Sequence, residues 1–121
     1  PLQEVGTTLL VAPDCLPDFP DFHDFASRLE DTIEDDETLG DSVMVACFHP
    51  MHTFAGLEPG DVLNYEKRSP YPVINLLRTA MVDKYIDAGK TLGIAKHNEK
   101  RLRTEGKDDV NAAFRALMDM E

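Results

Sequence analysis

The hydrophobic residues of this chain change their spacing twice before Pro50, and that change limits the fold more than any single motif. Gly6-Thr7-Thr8-Leu9-Leu10-Val11-Ala12 is a β-branched and apolar run closed by Pro13, which reads as a buried strand. From Asp21 the period becomes helical. Phe22, Phe25, Leu29 and Ile33 recur at intervals of three and four on one face. Asp21 and Asp24 fall in the first turn, where carboxylates complement the helix dipole. The remaining acidic face reads as solvated surface rather than a metal site. Gly40 stops the helix. Ser42-Val43-Met44-Val45-Ala46-Cys47-Phe48 is apolar on both faces and reads as a second strand, central in its sheet. Strand, helix, strand is the βαβ pattern, so parallel strands and a right-handed crossover are expected. Both strands then end at one edge of the sheet, where Cys15, Phe48 and His49 gather. Open α/β sheets bind ligands at that edge.

Between the two periods lies Pro13 to Pro20, whose three prolines exclude helix interior. After the second strand, His49 to Pro70 is a long connection with little regular structure, a kind of segment that is usually functional or mobile. Thr53-Phe54-Ala55 is a candidate short strand and Glu58-Pro59-Gly60-Asp61 a turn. Pro72 is expected to open a well-buried helix with Val73, Leu76, Leu77, Ala80, Met81 and Tyr85 apolar, ending at Gly89. A third helix is expected from Ile94 to Glu105, stopped by Gly106. A last one begins near Asp108 or Asp109, with Val110, Ala113, Phe114 and Leu117 on one face. The expected fold class is α/β, with α+β as the alternative: a small mixed or parallel sheet, a βαβ unit and three further helices. It is read as a single domain, 1–121.

With 121 residues the chain has enough length for one modest core. Its net charge of −11, from 23 acidic and 12 basic residues, opposes phosphate backbones and anionic lipid. Nucleic acid is therefore excluded as a partner, and a basic protein or a cation is compatible. The acid is concentrated between Asp14 and Asp41, whereas Lys84 to Lys107 is locally basic. No apolar run approaches bilayer length, so membrane insertion is not expected. The chain opens on Pro1 without a signal-peptide pattern. Cys15 and Cys47 make no disulfide framework and read as reduced apolar residues. With His49 and His52 they supply four possible zinc ligands, but their spacing matches no zinc signature. No metal and no cofactor is expected.

Polar residues with chemical potential cluster around two turns. His49, between Phe48 and Pro50 at a strand end, is placed where a general base would work, or where its nitrogens would satisfy loop carbonyls. Arg68 and Ser69 precede the helix expected at Pro72. Its free N–H groups and Arg68 would hold an anion there. Alternatively, Arg68 pairs with Glu66 or Asp61 and Ser69 caps the helix. Asn75 and Arg78, three apart on that helix, extend the patch as further anion-binding candidates. Asn64 reads as the residue that fixes the turn, and Tyr71 as a packed ring between two prolines. No nucleophile–base–orienter set is committed, and His49 and Ser69 remain the catalytic candidates.

These residues also carry a resemblance. Thr7-Thr8-Leu9-Leu10-Val11, Asp18-Phe19 with Asp21-Phe22, Phe48-His49-Pro50, Phe54-Ala55-Gly56, Asn64-Tyr65 and Arg68-Ser69-Pro70-Tyr71-Pro72 with Leu76-Leu77-Arg78 occur in this order. The chain resembles a domain-of-unknown-function family of bacteria and plastid-bearing eukaryotes over about Gly6 to Gly106. Against that family's pattern, Lys67 replaces an Asn, Asn75 a His and Thr79 a Glu. An N-terminal segment containing Leu-Cys-Pro-Phe has no counterpart, so a divergent, N-terminally shortened member is expected. The resemblance carries no activity. The departures from its pattern favour a non-catalytic accessory or interaction subunit with protein partners, and relatives in plastid-bearing eukaryotes make a plastid stromal, photosynthetic complex a conceivable host. The alternative is an enzyme or small-anion-binding domain with its site at His49 and Arg68-Ser69. A soluble protein is expected, in plastid stroma or cytoplasm.

Overall fold

A computed structural model of the chain describes residues 6–87 and 89–120. In chain order it holds β1 (Thr7–Val11), α1 (Phe19–Asp35), β2 (Val43–Phe48), a 3₁₀ segment (Val62–Lys67), β3 (Val73–Arg78), α2 (Thr79–Asp87), α3 (Lys90–Glu105) and α4 (Lys107–Met118). This is the mixed α/β fold expected, with three α-helices beyond α1. Among the described residues no helix is long and apolar enough to cross a membrane.

The sheet order is β1-β3-β2, and both ladders are antiparallel. β1 and β2 therefore run parallel to each other but do not touch; β3 is inserted between them. The strand–helix–strand reading holds in direction and fails in adjacency. β2 is an edge strand, and the central place belongs to β3, where the apolar spacing predicts the first turns of a helix. The reason lies in composition. Val73, Leu76 and Leu77 fit a helical stripe as well as they fit a strand that is apolar on both faces, and a run this short does not distinguish the two. Pro70 and Pro72 decide it by holding the approach extended, and β-branched Val73 and Ile74 continue in that geometry. The helix starts only at Thr79, whose N–H donates to the Ser42 carbonyl at 3.0 Å. Val73 is paired with both Val11 and Phe48, so the two outer strands do end at one edge.

α1 begins at Phe19, two residues earlier than the spacing predicts, with Pro20 in its first turn. It ends at Asp35, before Gly40. The Asp36 carboxylate stops it by accepting the N–H groups of Thr38 and Leu39 at 2.8 and 2.9 Å. Those donors, Leu39 first, hold its pKa below the ordinary carboxylate value. Gly40 serves the turn instead. A Cβ there would stand 2.7 Å from the Glu34 carbonyl oxygen, a backbone atom that cannot swing aside. Gly40→Ala is expected to cost about 1–3 kcal/mol in urea unfolding. A loss below about 0.5 kcal/mol would show that the turn opens freely. At the other end of the chain Gly106, at φ 84°, closes α3 and starts α4, as its position suggested.

The core is small. Phe22, Ala26 and Ile33 of α1 are buried together with Val62 and Ile74. Ile33 shares a cavity wall with Val43 and Val45, and Glu30 acts on the Cys47 thiol. α1 therefore lies along the sheet face that alternates through Val43, Val45, Cys47 and Ile74. The opposite face alternates through Thr7, Leu9 and Val11 of β1, Val73, Asn75 and Leu77 of β3, and Met44, Ala46 and Phe48 of β2. It contains no ionisable residue. Leu9, Val11 and Met44 on it are 59%, 51% and 40% exposed, while Val73, Asn75, Leu77 and Phe48 are half-buried, with Lys67 Nζ 4.9 Å from the Phe48 ring centroid.

Candidate functional site

The strand-end edge is built from α1, the end of β2 and the loop that follows. Leu16 adopts φ 54°, a left-handed conformation unusual for a branched residue. Its carbonyl lies 3.0 Å from His49 Nε2. His49 Nδ1 accepts the Met51 N–H at 3.0 Å, so the ring proton sits on Nε2 and donates to Leu16. The side chain is fully buried, and Phe19 and Phe22 flank it with ring centroids 5.5 and 4.9 Å away. A base needs a free lone pair that a substrate proton can reach. His49 has both nitrogens engaged with the backbone and no exposed surface.

Asn64 is the second fully buried polar side chain. Its Oδ1 accepts the Phe54 N–H at 2.9 Å, and its Nδ2 donates to the Glu58 and Pro59 carbonyls at 2.8 and 3.3 Å. It fixes the turn, as its type and place suggested. Arg68 works alongside it. Nε donates to the His52 carbonyl at 3.0 Å, Nη2 to the Pro59 carbonyl at 2.8 Å, and the guanidinium stacks 4.7 Å from the Tyr65 ring centroid. Loop carbonyls, not Glu66 or Asp61, are therefore its partners.

The other candidates lie elsewhere. Ser69 Oγ donates to the Tyr71 carbonyl and caps no helix, because Pro72 leads into a strand. Asn75 sits in the middle of β3, where Oδ1 accepts the Thr7 hydroxyl. Arg78 is the last residue of β3, about 17 Å along the strand from Val73 at the usual rise. A spacing of three on a helix would have joined Asn75 to Arg78; on a strand it puts them on opposite faces. The structure thus brings His49, Asn64 and Arg68 into one loop and leaves Ser69, Asn75 and Arg78 outside it. No anion cradle exists at Pro72, since no helix starts there. Tyr71 is 45% exposed rather than packed.

Two features went unread in the sequence. The first is an aromatic and histidine cluster centred on Phe19, with His23, His49 and His52 at centroid distances of 5.7, 5.5 and 5.0 Å. Phe19 was grouped with the loop prolines, although Asp18 and Pro20 around it mark a helix start. Among the described residues no three potential ligands come together to hold a metal. Cys15 and Cys47 are free thiols, and burial, then Glu30, push the Cys47 thiol up. The second is a cleft of about 350 Å³ between this loop and α4, where the Tyr65 hydroxyl donates to Asn111 Oδ1 at 2.6 Å.

His52 is the strained member of the cluster. Its Nε2 is buried with no hydrogen-bond partner among the described residues. Phe19 and Phe54 meet it edge-on at 5.0 and 4.6 Å. Burial, then Lys67, Arg68, His23 and His49, lower its pKa from the ordinary 6.5. The unfolded chain therefore binds this proton more readily than the folded one. Stability is whole above 6.5 and declines as the pH falls toward the lowered value. The melting temperature should drop between about pH 7 and about pH 5, and His52→Phe should flatten that drop. An unchanged slope in the variant would remove His52 as its source.

Fold and site together define a mixed α/β domain whose motif residues are built into its own loop. The chain belongs to the DUF1415 family, described as protein of unknown function, and the match covers residues 1–112. This agrees with the motif resemblance at the level of a domain-of-unknown-function family. No curated protein and no solved structure matches the chain.

Proposed function

We propose that this chain is a non-catalytic interaction domain, and that the bare face of its sheet is where it docks. One observation carries the reading: Leu9, Val11 and Met44 stand exposed on a sheet face whose own residues carry no charge, Lys67 reaching it at Phe48. A sheet is stable when each apolar face is covered, and α1 covers the other one along β2 and at Ile74. Contiguous exposed apolar surface on a folded domain marks an interaction site. The placement of the motif residues supports the same reading. His49, Asn64 and Arg68 hold backbone groups of the loop, which leaves the polar residues without a common reaction centre.

The partner that fits is an amphipathic helix. Its apolar stripe would lie across β1, β3 and β2, opposite α1, and complete a second layer. Basic flanks suit it, because the domain around the uncharged face carries a net charge of −11. A plastid stromal, photosynthetic assembly is the host that the motif resemblance suggests. The test is photo-crosslinking in native-source extract from position 9, with position 71 as an exposed control off the face. The reading expects one partner helix to crosslink at Leu9 and not at Tyr71. Crosslinks from Tyr71 alone, or a substrate turned over by the isolated chain, would overturn it.

A further inference from the structure

The cleft between the Pro50–Arg68 loop and α4 combines an aromatic corner with cations at its rim. Tyr65 and Phe114 form the corner, edge to face at 5.4 Å and 71°, and Arg68 stacks on the Tyr65 ring. Met51 and Pro59 wall it on the loop side and Met118 on the helix side. Arg68, Lys107 and Arg115 line it, against one carboxylate, Asp108. In a chain of net charge −11 this is a local reversal of sign.

The cations are placed rather than scattered. Arg68 is tethered by its bonds to the His52 and Pro59 carbonyls, so its guanidinium keeps one position. A Cβ on Gly60 would stand 3.0 Å from Lys107 Nζ, so the missing side chain leaves room for the ammonium group. Asn111 accepts the Tyr65 hydroxyl with its oxygen, which leaves its Nδ2 as a donor. Donors of positive sign around an aromatic corner select a ligand with an anionic head and a small apolar body that an aromatic ring fits. The cavity of about 350 Å³ lies near the small end for ligand sites.

We propose that this cleft binds a small aromatic carboxylate, its ring in the corner between Phe114 and Tyr65 and its carboxylate among Arg68, Lys107 and Arg115. The site is distinct from the bare sheet face and holds whether or not that face docks a partner. It keeps Arg68 as an anion-binding residue and replaces Ser69, Asn75 and Arg78 by residues of α4, which sequence spacing could not bring to the loop.

The test uses the whole chain and three probes: benzoate, its neutral isostere benzamide, and inorganic phosphate. Binding is read from backbone amide shifts in a nitrogen–proton correlation spectrum. Benzoate is expected to shift the amides of Tyr65, Lys107 and Asn111, and to bind about tenfold more tightly than benzamide. Lys107→Gln with Arg115→Gln should weaken benzoate about tenfold and leave benzamide unchanged. Both side chains are exposed, so the variant should keep the circular dichroism of the parent. Gly60→Ala should weaken benzoate without removing a charge, by displacing Lys107. Absence of benzoate shifts would overturn the proposal, as would equal affinity for benzamide or undiminished binding by the double variant. Displacement of benzoate by phosphate at equal concentration would reduce the cleft to a plain anion site and overturn the assigned ligand class.

Discussion

Asn64→Ala is expected to lower the stability of this domain markedly. It strands the Phe54 N–H beside a fully buried position and takes one donor each from the Glu58 and Pro59 carbonyls, which keep the Asp61 N–H and Arg68 Nη2. One unpaired buried group costs about 1–3 kcal/mol, and with the weakened carbonyl contacts the expected total is about 2–3 kcal/mol. For a domain of this size that is a large share of the whole stability. Asn64→Asp separates the causes. It keeps an acceptor for Phe54 but sets a carboxylate oxygen against two carbonyls. It should cost at least as much as Asn64→Ala at neutral pH and recover partly in acid, as the carboxyl regains a proton to donate. Urea midpoints at the two pH values check both. A loss below about 1 kcal/mol for Asn64→Ala would mean that the 54–59 turn is held by something else.

His49→Phe comes next. Phenylalanine fills the space against Phe19 and Phe22 but can neither accept the Met51 N–H nor donate to Leu16. The expected loss is about 2–4 kcal/mol. It should appear with faster amide exchange at Met51, because that N–H loses its acceptor. Leu16 adds to the effect, since its left-handed backbone persists only while its surroundings hold it. A catalytic His49 would behave differently: the variant would keep its stability and lose an activity. Unchanged unfolding of His49→Phe would therefore contradict the structural role assigned here.

The two outer strands, α1 and the three later helices were legible because each rests on a local signal. Period carries α1, Gly106 divides α3 from α4, and β-branched runs mark β1 and β2. The shared strand-end edge followed from direction alone. β3 was not legible as a strand, because Val73 to Arg78 is apolar at both helical and extended spacings. That one misreading moved Asn75 and Arg78 onto a helix face they do not share. It also supplied a helix N-terminus for Arg68 and Ser69 that does not exist. Asn64 was readable, because an asparagine in a turn has few other uses. The partners of Arg68 were not, since backbone carbonyls leave no mark on a sequence. The Tyr65–Asn111 bond joins residues 46 apart through tertiary packing alone, and no pattern announces it. The bare sheet face is the same kind of case: Leu9 and Val11 look like core residues until the layers are counted.

The central claim is that the motif residues build the loop while the uncharged sheet face does the work. Leu9→Glu with Val11→Glu tests it most directly. Both side chains are exposed on an edge strand, where charge is tolerated, so the isolated domain should unfold within about 1 kcal/mol of the parent. Its affinity for the helix captured at position 9 should fall at least about tenfold, since carboxylates would be buried against an apolar stripe. Affinity equal to that of the parent, in a variant that remains folded, would contradict the account.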